Sequence, residues 1–379
     1  MNFMIKKNSQ MDFEKIKKFL SKKGYRLIKK KGFSHQLKYK NIYTTSFASL
    51  IVITFFYILP LSINKVSSII KHNKHVENYS KKYLEKVLSG ENLVSGELEN
   101  DEIAQRYLYE DVELKEGPSK SVRIEASILN QLFEDNDYNL KKVRLNKIVK
   151  PFEVGMLPEE LKNIESTKKR KDLFIKIVLP LILSENNRIL RDRDILFKVL
   201  NKNNNTKSER QWLNKKFKQY GVVNKDVTTL KIRMDIIPVS LALAQAAKES
   251  GWGTSRFAIE GNALFGQWTY SGEGITPAAA DKGDKHKVMA FSVLKSSVRA
   301  YQRNLNTHKS YKVFRKERAT QRDNEENLDS TLLANYLNSY AETGEEYVKI
   351  LKQIIDQNNL KDFDKAKILP SSKSLQNNI

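Results

Sequence analysis

Apolar residues are arranged along this chain in two different ways. Between Lys40 and Lys65 they form a block of 24 residues without a charge, centred on Phe47-Ala-Ser-Leu-Ile-Val-Ile-Thr-Phe-Phe-Tyr-Ile-Leu-Pro-Leu61. A helix rises about 1.5 Å per residue, so roughly 20 residues cross the hydrocarbon layer of a bilayer. The block therefore predicts a single transmembrane helix over residues 43–64. It is apolar all round and lacks the polar face of a surface helix, and Pro60 lies near its end, where a lost backbone hydrogen bond costs least. The run begins more than 40 residues after Met1, too late for an ordinary secretory leader. A retained anchor is the expectation.

From about residue 150 the pattern changes to a helical period. Phe174, Ile177, Val178, Leu181 and Ile182 recur at 3–4 spacing, with Pro180 as an expected kink or break. Asn201 to Thr206 reads as a loop and Ser208 to Tyr220 as a helix. Val298, Tyr301 and Leu305 mark another helix, Leu332, Leu333 and Leu337 the next, and Tyr347, Ile350, Leu351, Ile354 and Ile355 a last clean stripe. Residues 65–150 are less determined: Tyr83, Leu84, Val87 and Leu88 hint at a short helix, Gly90 and Gly96 are breaks, and 121–125 and 141–145 suggest strand pieces. The pattern predicts a basic arm (1–42), an anchor (43–64), a stalk with a small undetermined region (65–150), a mainly α domain (151–360) and a polar tail (361–379).

Charge adds an address. The 379 residues hold 67 Lys plus Arg against 44 Asp plus Glu, a formal net of +23, which implies attraction to something anionic. Residues 1–40 carry 13 Lys/Arg and two acids, Asp12 and Glu14, a net of +11. Eight Lys/Arg lie in 21–40 and five in 65–84, so the positive-inside rule places the N-terminus in the cytoplasm and the bulk of the chain across the membrane. Anionic lipid heads are the economical partner for an arm beside a span. No helix-turn-helix, finger or aromatic–basic module speaks for nucleic acid. The absence of Cys excludes disulfides, thiolate catalysis and Cys-based metal sites. His72 and His75 stand three apart, but no third ligand is evident; neither a metal nor a cofactor is expected.

The most informative stretch is Pro238-Val-Ser-Leu-Ala-Leu-Ala-Gln-Ala-Ala-Lys-Glu-Ser-Gly-Trp-Gly-Thr-Ser-Arg-Phe-Ala-Ile-Glu-Gly-Asn-Ala-Leu-Phe-Gly-Gln-Trp268. Pro238 suits the first turn of a helix. Ala242, Ala244, Ala246 and Ala247 allow close approach of neighbours, and Gly251 and Gly253 stop the helix. Glu249 falls at the helix end, where the negative end of the dipole and burial against aromatic rings both disfavour its charge. A carboxyl kept protonated near neutral pH is a usable general acid, which glycosidic cleavage requires. The spacing is equally compatible with a helix-end acid paired with a nearby Lys.

The run Leu243-Ala-Gln-Ala-Ala-Lys-Glu-Ser-Gly-Trp-Gly-Thr-Ser-Arg-Phe-Ala258, followed by Asn262-Ala-Leu-Phe-Gly-Gln-Trp268, resembles the bacterial peptidoglycan glucosaminidases, of mannosyl-glycoprotein endo-beta-N-acetylglucosaminidase type. The Bax-like branch is similar also at Leu157-Pro, Arg170-Lys-Asp-Leu-Phe-Ile, Leu179-Pro-Leu-Ile-Leu, Arg210-Gln-Trp-Leu, Asn304-Leu-Asn-Thr-His308 and Gly344-Glu-Glu-Tyr347. The resemblance covers roughly residues 150–360. It implies a lysozyme-like helical domain with a small β-hairpin lobe and a substrate groove, with Glu249 as the catalytic acid. The element Tyr340-Ala-Glu-Thr-Gly-Glu-Glu-Tyr347 matches a family element whose tyrosine lines the site, so Tyr340 joins the catalytic set and Tyr347 the substrate-binding one. Trp252, Asn262, Phe265 and Trp268 are further candidates to line the groove; Trp252 and Phe265 suit the core equally well.

The resemblance places a second carboxylate in the lobe, within 269–291, where Glu273, Asp281 and Asp284 precede the strand-like Lys287-Val-Met-Ala-Phe291. Glu273 is the first choice. The substrate's own N-acetyl group is the alternative to a protein nucleophile. The expected partner is the peptidoglycan glycan strand, reached from the cytoplasmic membrane into the periplasm. A catalytically silent module that binds glycan and recruits partners is the competing reading.

Overall fold

The computed structural model describes residues 107–115, 121–269, 274–277, 287–324 and 327–370. The chain divides into two units, residues 1–80 and 81–379, and all described residues fall in the second. The expected basic arm and the anchor over 43–64 lie outside the described residues. Among the described residues, no helix is long and apolar enough to cross a membrane.

The first helices are α1 (Ala126–Asp135) and α2 (Leu140–Asn146), followed by a two-residue strand, β1 (Ile148–Val149). The expected strand at 141–145 is therefore a helix. Asn139 caps it, its Oδ1 accepting the Lys142 N–H at 2.8 Å, and Leu140 and Val143, three apart, bury one face. Residues 121–125 form no strand either. Ala126, Leu129, Phe133, Tyr138 and Val149 belong to the main hydrophobic core, so 126–149 is part of the globular domain rather than a stalk.

The backbone of the domain is α3 (Thr167–Leu200), 34 residues long with Pro180 inside it. The expected break does not occur. Every residue from Ile177 to Leu183 is buried, and packing on all sides holds the helix through the missing N–H. Helices α4 (Lys207–Gln219) and α5 (Val227–Arg233) pack on the far end of α3 around a second, smaller core of Leu196, Phe217, Tyr220, Leu230 and Met234.

The helix predicted from Pro238 is α6 (Val239–Ser250), and α7 (Arg256–Gly261) follows it closely. The predicted lobe is a three-stranded antiparallel sheet of β2 (Trp268–Thr269), β3 (Gly274–Ile275) and β4 (Lys287–Met289) in the order β2-β4-β3. Trp268 pairs with Val288 and Gly274 with Met289. The chain closes with α8 (Leu294–Thr307), α9 (Lys312–Asp323), α10 (Ser330–Ala334), α11 (Glu345–Gln357) and β5 (Lys367–Ile368). Described residues of the expected polar tail are built into the fold. Phe363 is fully buried, and β5 runs parallel to β1 with Ile148 opposite Lys367 and Val149 opposite Ile368.

Helix α6 sits at the centre, against α3, α10, α11 and the turn at Leu360–Phe363. All residues from Val239 to Ala247 are buried, and the alanines let the surrounding helices approach. Its free N-terminal groups are met from a distance: Asp364 accepts the Ser240 N–H at 2.8 Å and the Ser240 hydroxyl at 2.7 Å. An ionic seam ties α3 to α8 and to residues 107–115. The fully buried Glu185 accepts from Arg188 and Arg299 at 2.8–2.9 Å, and Asp111 accepts from Arg188 and Arg303 at 3.2–3.3 Å.

Replacing Asp364 by Ala removes both hydrogen bonds at the start of α6. The variant is expected to lose about 1–2 kcal/mol of stability, read as a lower urea midpoint with an unchanged slope.

Candidate active site

The end of α6 is shaped by a left-handed turn. Gly251, Trp252 and Gly253 have φ of +58°, +59° and +81°. The Trp252 N–H reaches back to the Ala247 carbonyl at 2.8 Å and the Gly251 N–H to the Lys248 carbonyl at 3.5 Å, the paired closure of a Schellman motif. Ser250 completes it: its hydroxyl donates to the Ala246 carbonyl at 2.5 Å and accepts the Gly253 N–H at 2.9 Å. A Cβ on Gly253 would lie 2.9 Å from the Phe174 ring, so the turn needs glycine there for room as well as for φ. Glu249 is held in the last turn of the helix.

The Glu249 side chain is half-buried, and its Oε1 is enclosed with no hydrogen-bond partner among the described residues. Burial raises its pKa above the usual carboxylate range; a hydrogen bond from Tyr347 and the charge of Lys248 oppose the rise without cancelling it. The helix-end ion pair that spacing alone allowed is not formed among the described residues.

A group of tyrosines surrounds this carboxyl. Tyr301, Tyr311, Tyr340 and Tyr347 all have raised pKa values, first through burial; the Glu249 charge comes next for Tyr311 and Tyr347, and after a neighbouring tyrosine for Tyr301 and Tyr340; Tyr311 reaches about 12. The Tyr340 and Tyr347 rings are stacked at 5.5 Å, and the Tyr340 hydroxyl donates to the Phe265 carbonyl at 3.0 Å. Tyr347 accepts from the Gln245 amide at 3.0 Å, and Tyr301 donates to the same amide at 2.6 Å. Next to Phe265, Gly266, at φ +61°, leaves a space that a Cβ would fill at 3.9 Å from Glu249 Oε2.

The residues expected from sequence fall into distinct places. Glu249, Tyr340 and Tyr347 come together. Phe265 joins them through its backbone: its ring is buried and lies 3.9 Å from Tyr301 in a parallel stack, while its carbonyl fixes Tyr340. Trp252 packs edge-on against Phe174 at 5.8 Å, with the Lys171 ammonium 4.7 Å from its ring centre. Asn262 is buried, and its amide donates to the carbonyls of Phe291 and Ser292, stitching the end of α7 to the lobe rather than facing open space. Trp268, on β2, is 52% exposed. Glu273, Asp281 and Asp284 lie outside the described residues.

Sequence reasoning gave no role to Gln245 or Tyr311 and read Tyr301 only as a helix marker. One signal was present: Gln245 is a polar residue inside an alanine–leucine run, four positions before Glu249 and so on the same helix face. Gln267, beside Gly266, is buried with neither amide atom bonded among the described residues. Among the described residues no group of three or more His, Asp or Glu is arranged to hold a metal ion.

Residues 224–360 match the glucosaminidase family, described as mannosyl-glycoprotein endo-beta-N-acetylglucosaminidase. The chain is 35% identical over 205 residues to Protein bax of Escherichia coli (strain K12), a match that takes in 52% of this chain and 73% of that protein. No solved structure matches. The family match contains the end of α6, the glycine-framed turn, the strands of the lobe and the tyrosines about Glu249. With that identity over that share of its relative, the chain belongs to the glucosaminidase family of glycoside hydrolases, in the Bax-like branch.

Proposed function

We propose that the protein is a membrane-anchored peptidoglycan hydrolase that cleaves N-acetylglucosaminyl linkages of the glycan strand, with Glu249 as the general acid. The observation that carries the reading is the state of that carboxyl: half-buried, raised in pKa, free of an ion pair among the described residues and set among four tyrosines.

In the cleavage step Glu249 gives its proton to the glycosidic oxygen as the bond from that oxygen to the anomeric carbon breaks. The sugar left behind takes on oxocarbenium character, and the carboxyl becomes a carboxylate. Water completes the hydrolysis at the anomeric carbon. Its activation falls to a carboxylate of the lobe, with Glu273 as first candidate, or to the substrate's N-acetyl group acting in its place. The half-exposed Trp268, on a strand of the lobe, supplies an apolar face for a sugar ring.

The uncharged block over 43–64 supports anchoring in the cytoplasmic membrane, and the heavier positive charge before it supports a cytoplasmic N-terminus with the catalytic domain in the periplasm. A net charge of +23 favours an acidic polymer as partner, as wall peptides and polymers are.

Glu249→Gln keeps the shape and removes the proton. Release of new reducing ends from purified sacculi is expected to fall by about 10²–10⁴-fold, with mass spectrometry of the wild-type fragments identifying the bond cut. Full activity in this variant would end the acid assignment. Wild-type protein that sediments with sacculi and releases no ends would mark a binding module instead.

The same variant has a stability signature. The folded-state pKa of Glu249 lies above its unfolded value, so the group costs the fold nothing below the unfolded pKa. Its cost develops as pH rises through the folded value. Glu249→Gln is therefore expected to melt above wild type at pH 7 and level with it near pH 4, as thermal scans at the two pH values would read.

A further inference from the structure

The lobe strand β4 runs on past Met289, and its continuation is bonded on both edges. Successive residues of an extended chain turn their backbone N–H and C=O groups to opposite sides. On one side the Met289 N–H bonds to the Gln267 carbonyl and the Phe291 N–H to the Gly261 carbonyl, both at 2.8 Å. On the other side the partner is residues 113–115. The Lys115 N–H donates to the Ala290 carbonyl at 3.0 Å and the Ser292 N–H to the Glu113 carbonyl at 3.1 Å. The Ser292 hydroxyl donates to the Leu114 carbonyl at 2.8 Å, and Leu114 lies antiparallel to Phe291.

The other end of this segment is held by charge. The Asp111 carboxylate accepts from Arg188 of α3 and Arg303 of α8 at 3.2–3.3 Å. The Asp111 carbonyl accepts from Arg299, and the Leu108 carbonyl from Arg303 at 3.0 Å. Between the two ends Val112 is buried in a small core with Ala263, Val288, Met289, Phe291 and Ala300. Residues 107–115 are thus a strap, fixed to two helices at one end and laid along the lobe at the other. They precede the residues matched by the family, 224–360.

What the strap holds leads to the acid. Met289 is bonded to Gln267, and Gln267 follows Gly266, whose missing side chain leaves the space beside Glu249 Oε2. Phe265, one residue earlier, takes the Tyr340 hydroxyl on its carbonyl. A shift of β4 therefore moves the wall at 265–267 against the carboxyl, while α6, which carries Glu249, stays seated on α3 and α11.

We propose that residues 107–115 position the wall of the active site at 265–267 through β4, with Asp111 as the positioning residue that clamps the strap to α3 and α8. The inference rests on Glu249 being the acid. A misplacement of about 1 Å at a reacting centre costs up to about 10²-fold in rate, so a slack wall lowers turnover with the acid still in its helix. The two attachments differ in kind. Ion pairs tie the strap to the helices and backbone hydrogen bonds tie it to the lobe, so each can be cut separately.

The test uses the full chain as wild type, Asp111→Ala, Lys115→Pro and Lys115→Ala. Hydrogen-exchange mass spectrometry follows 287–291 against α6. The Met289 and Phe291 N–H groups bond to Gln267 and Gly261, not to the strap, so their exchange reports a transmitted hold. In Asp111→Ala and Lys115→Pro this stretch is expected to exchange about tenfold faster, with α6 unchanged. On soluble peptidoglycan glycan chains kcat is expected to fall about tenfold, with KM within about twofold of wild type. Lys115→Ala keeps the backbone N–H and is expected to stay near wild type in both readouts.

Should Asp111→Ala fail to fold, Lys115→Pro carries the test, since it cuts only the lobe end. Unchanged exchange over 287–291, a rise shared equally by α6, or a wild-type kcat with a loosened β4 overturns the proposal. So does Lys115→Ala matching Lys115→Pro. Glu249→Gln tells the two failures apart. If it is inactive while the strap variants keep wild-type kcat, the strap is wrong and the acid assignment stands; if it is fully active, the acid assignment is wrong and the strap's role at the site falls with it.

Discussion

A helix buried on every side must end somewhere, and its last carbonyls must find donors without water. That constraint fixes the end of α6. Two of the carbonyls are closed by the left-handed turn at Gly251 and a third by the Ser250 hydroxyl, so the chain leaves the helix along one path. Glu249 is carried in this last turn, at the negative end of the dipole and inside the domain. The side chain is partly withdrawn from solvent and has no arginine to pair with among the described residues. Its environment is made by backbone geometry and by rings, which is why the acid needs nothing from the basic surface of the chain.

The contrast with the other buried acids is instructive. Burial alone raises the pKa of Glu185, but the hydrogen bonds and charges of Arg299 and Arg188 outweigh it and hold the group low. Asp235 is equally buried, and Arg193, Arg318 and Arg322 take it well below the usual carboxylate range. Each of these acids is surrounded by arginines that cap helix ends or bridge elements. Glu249 is less deeply buried, has no arginine beside it and only an exposed Lys248 nearby, and moves the other way. The placement of arginine decides whether a buried carboxyl is held charged, as at Glu185, or pushed towards its neutral form, as at Glu249.

Local signals were readable. The end of α6 follows from two glycines around a tryptophan and α11 from its stripe; 208–220 reads as a helix and 287–291 as strand-like, where α4 and β4 form. Long-range ones were not. The strands β1 and β5 are two residues each and stabilise one another across more than 200 positions; neither carries a pattern of its own, so the helices before β1 looked like a stalk and the residues after Leu360 like a tail. The site shows the same division. Glu249, Tyr340 and Tyr347 stand out by motif; Tyr301 and Tyr311 do not. The motif cannot tell a residue that acts through its ring from one that acts through its carbonyl, and Phe265 is of the second kind. Asn262 lies within the motif because the end of α7 must be tied to the lobe. Gln245 shows in sequence only as a polar residue in an apolar run, because its partners come from α8 and α11.

The parallel pair of β1 and β5 has a consequence for biogenesis. Helix α6 takes the acceptor for its first turn from Asp364, and the strand that seals the domain comes a few residues later, at Lys367–Ile368. A chain emerging from its N-terminus must therefore hold α1, α3 and the acid-bearing helix without their final partners until nearly all of the domain has been made. A nascent chain stalled short of residue 364 carries Glu249 and its tyrosines without the acceptor that Asp364 gives the start of α6.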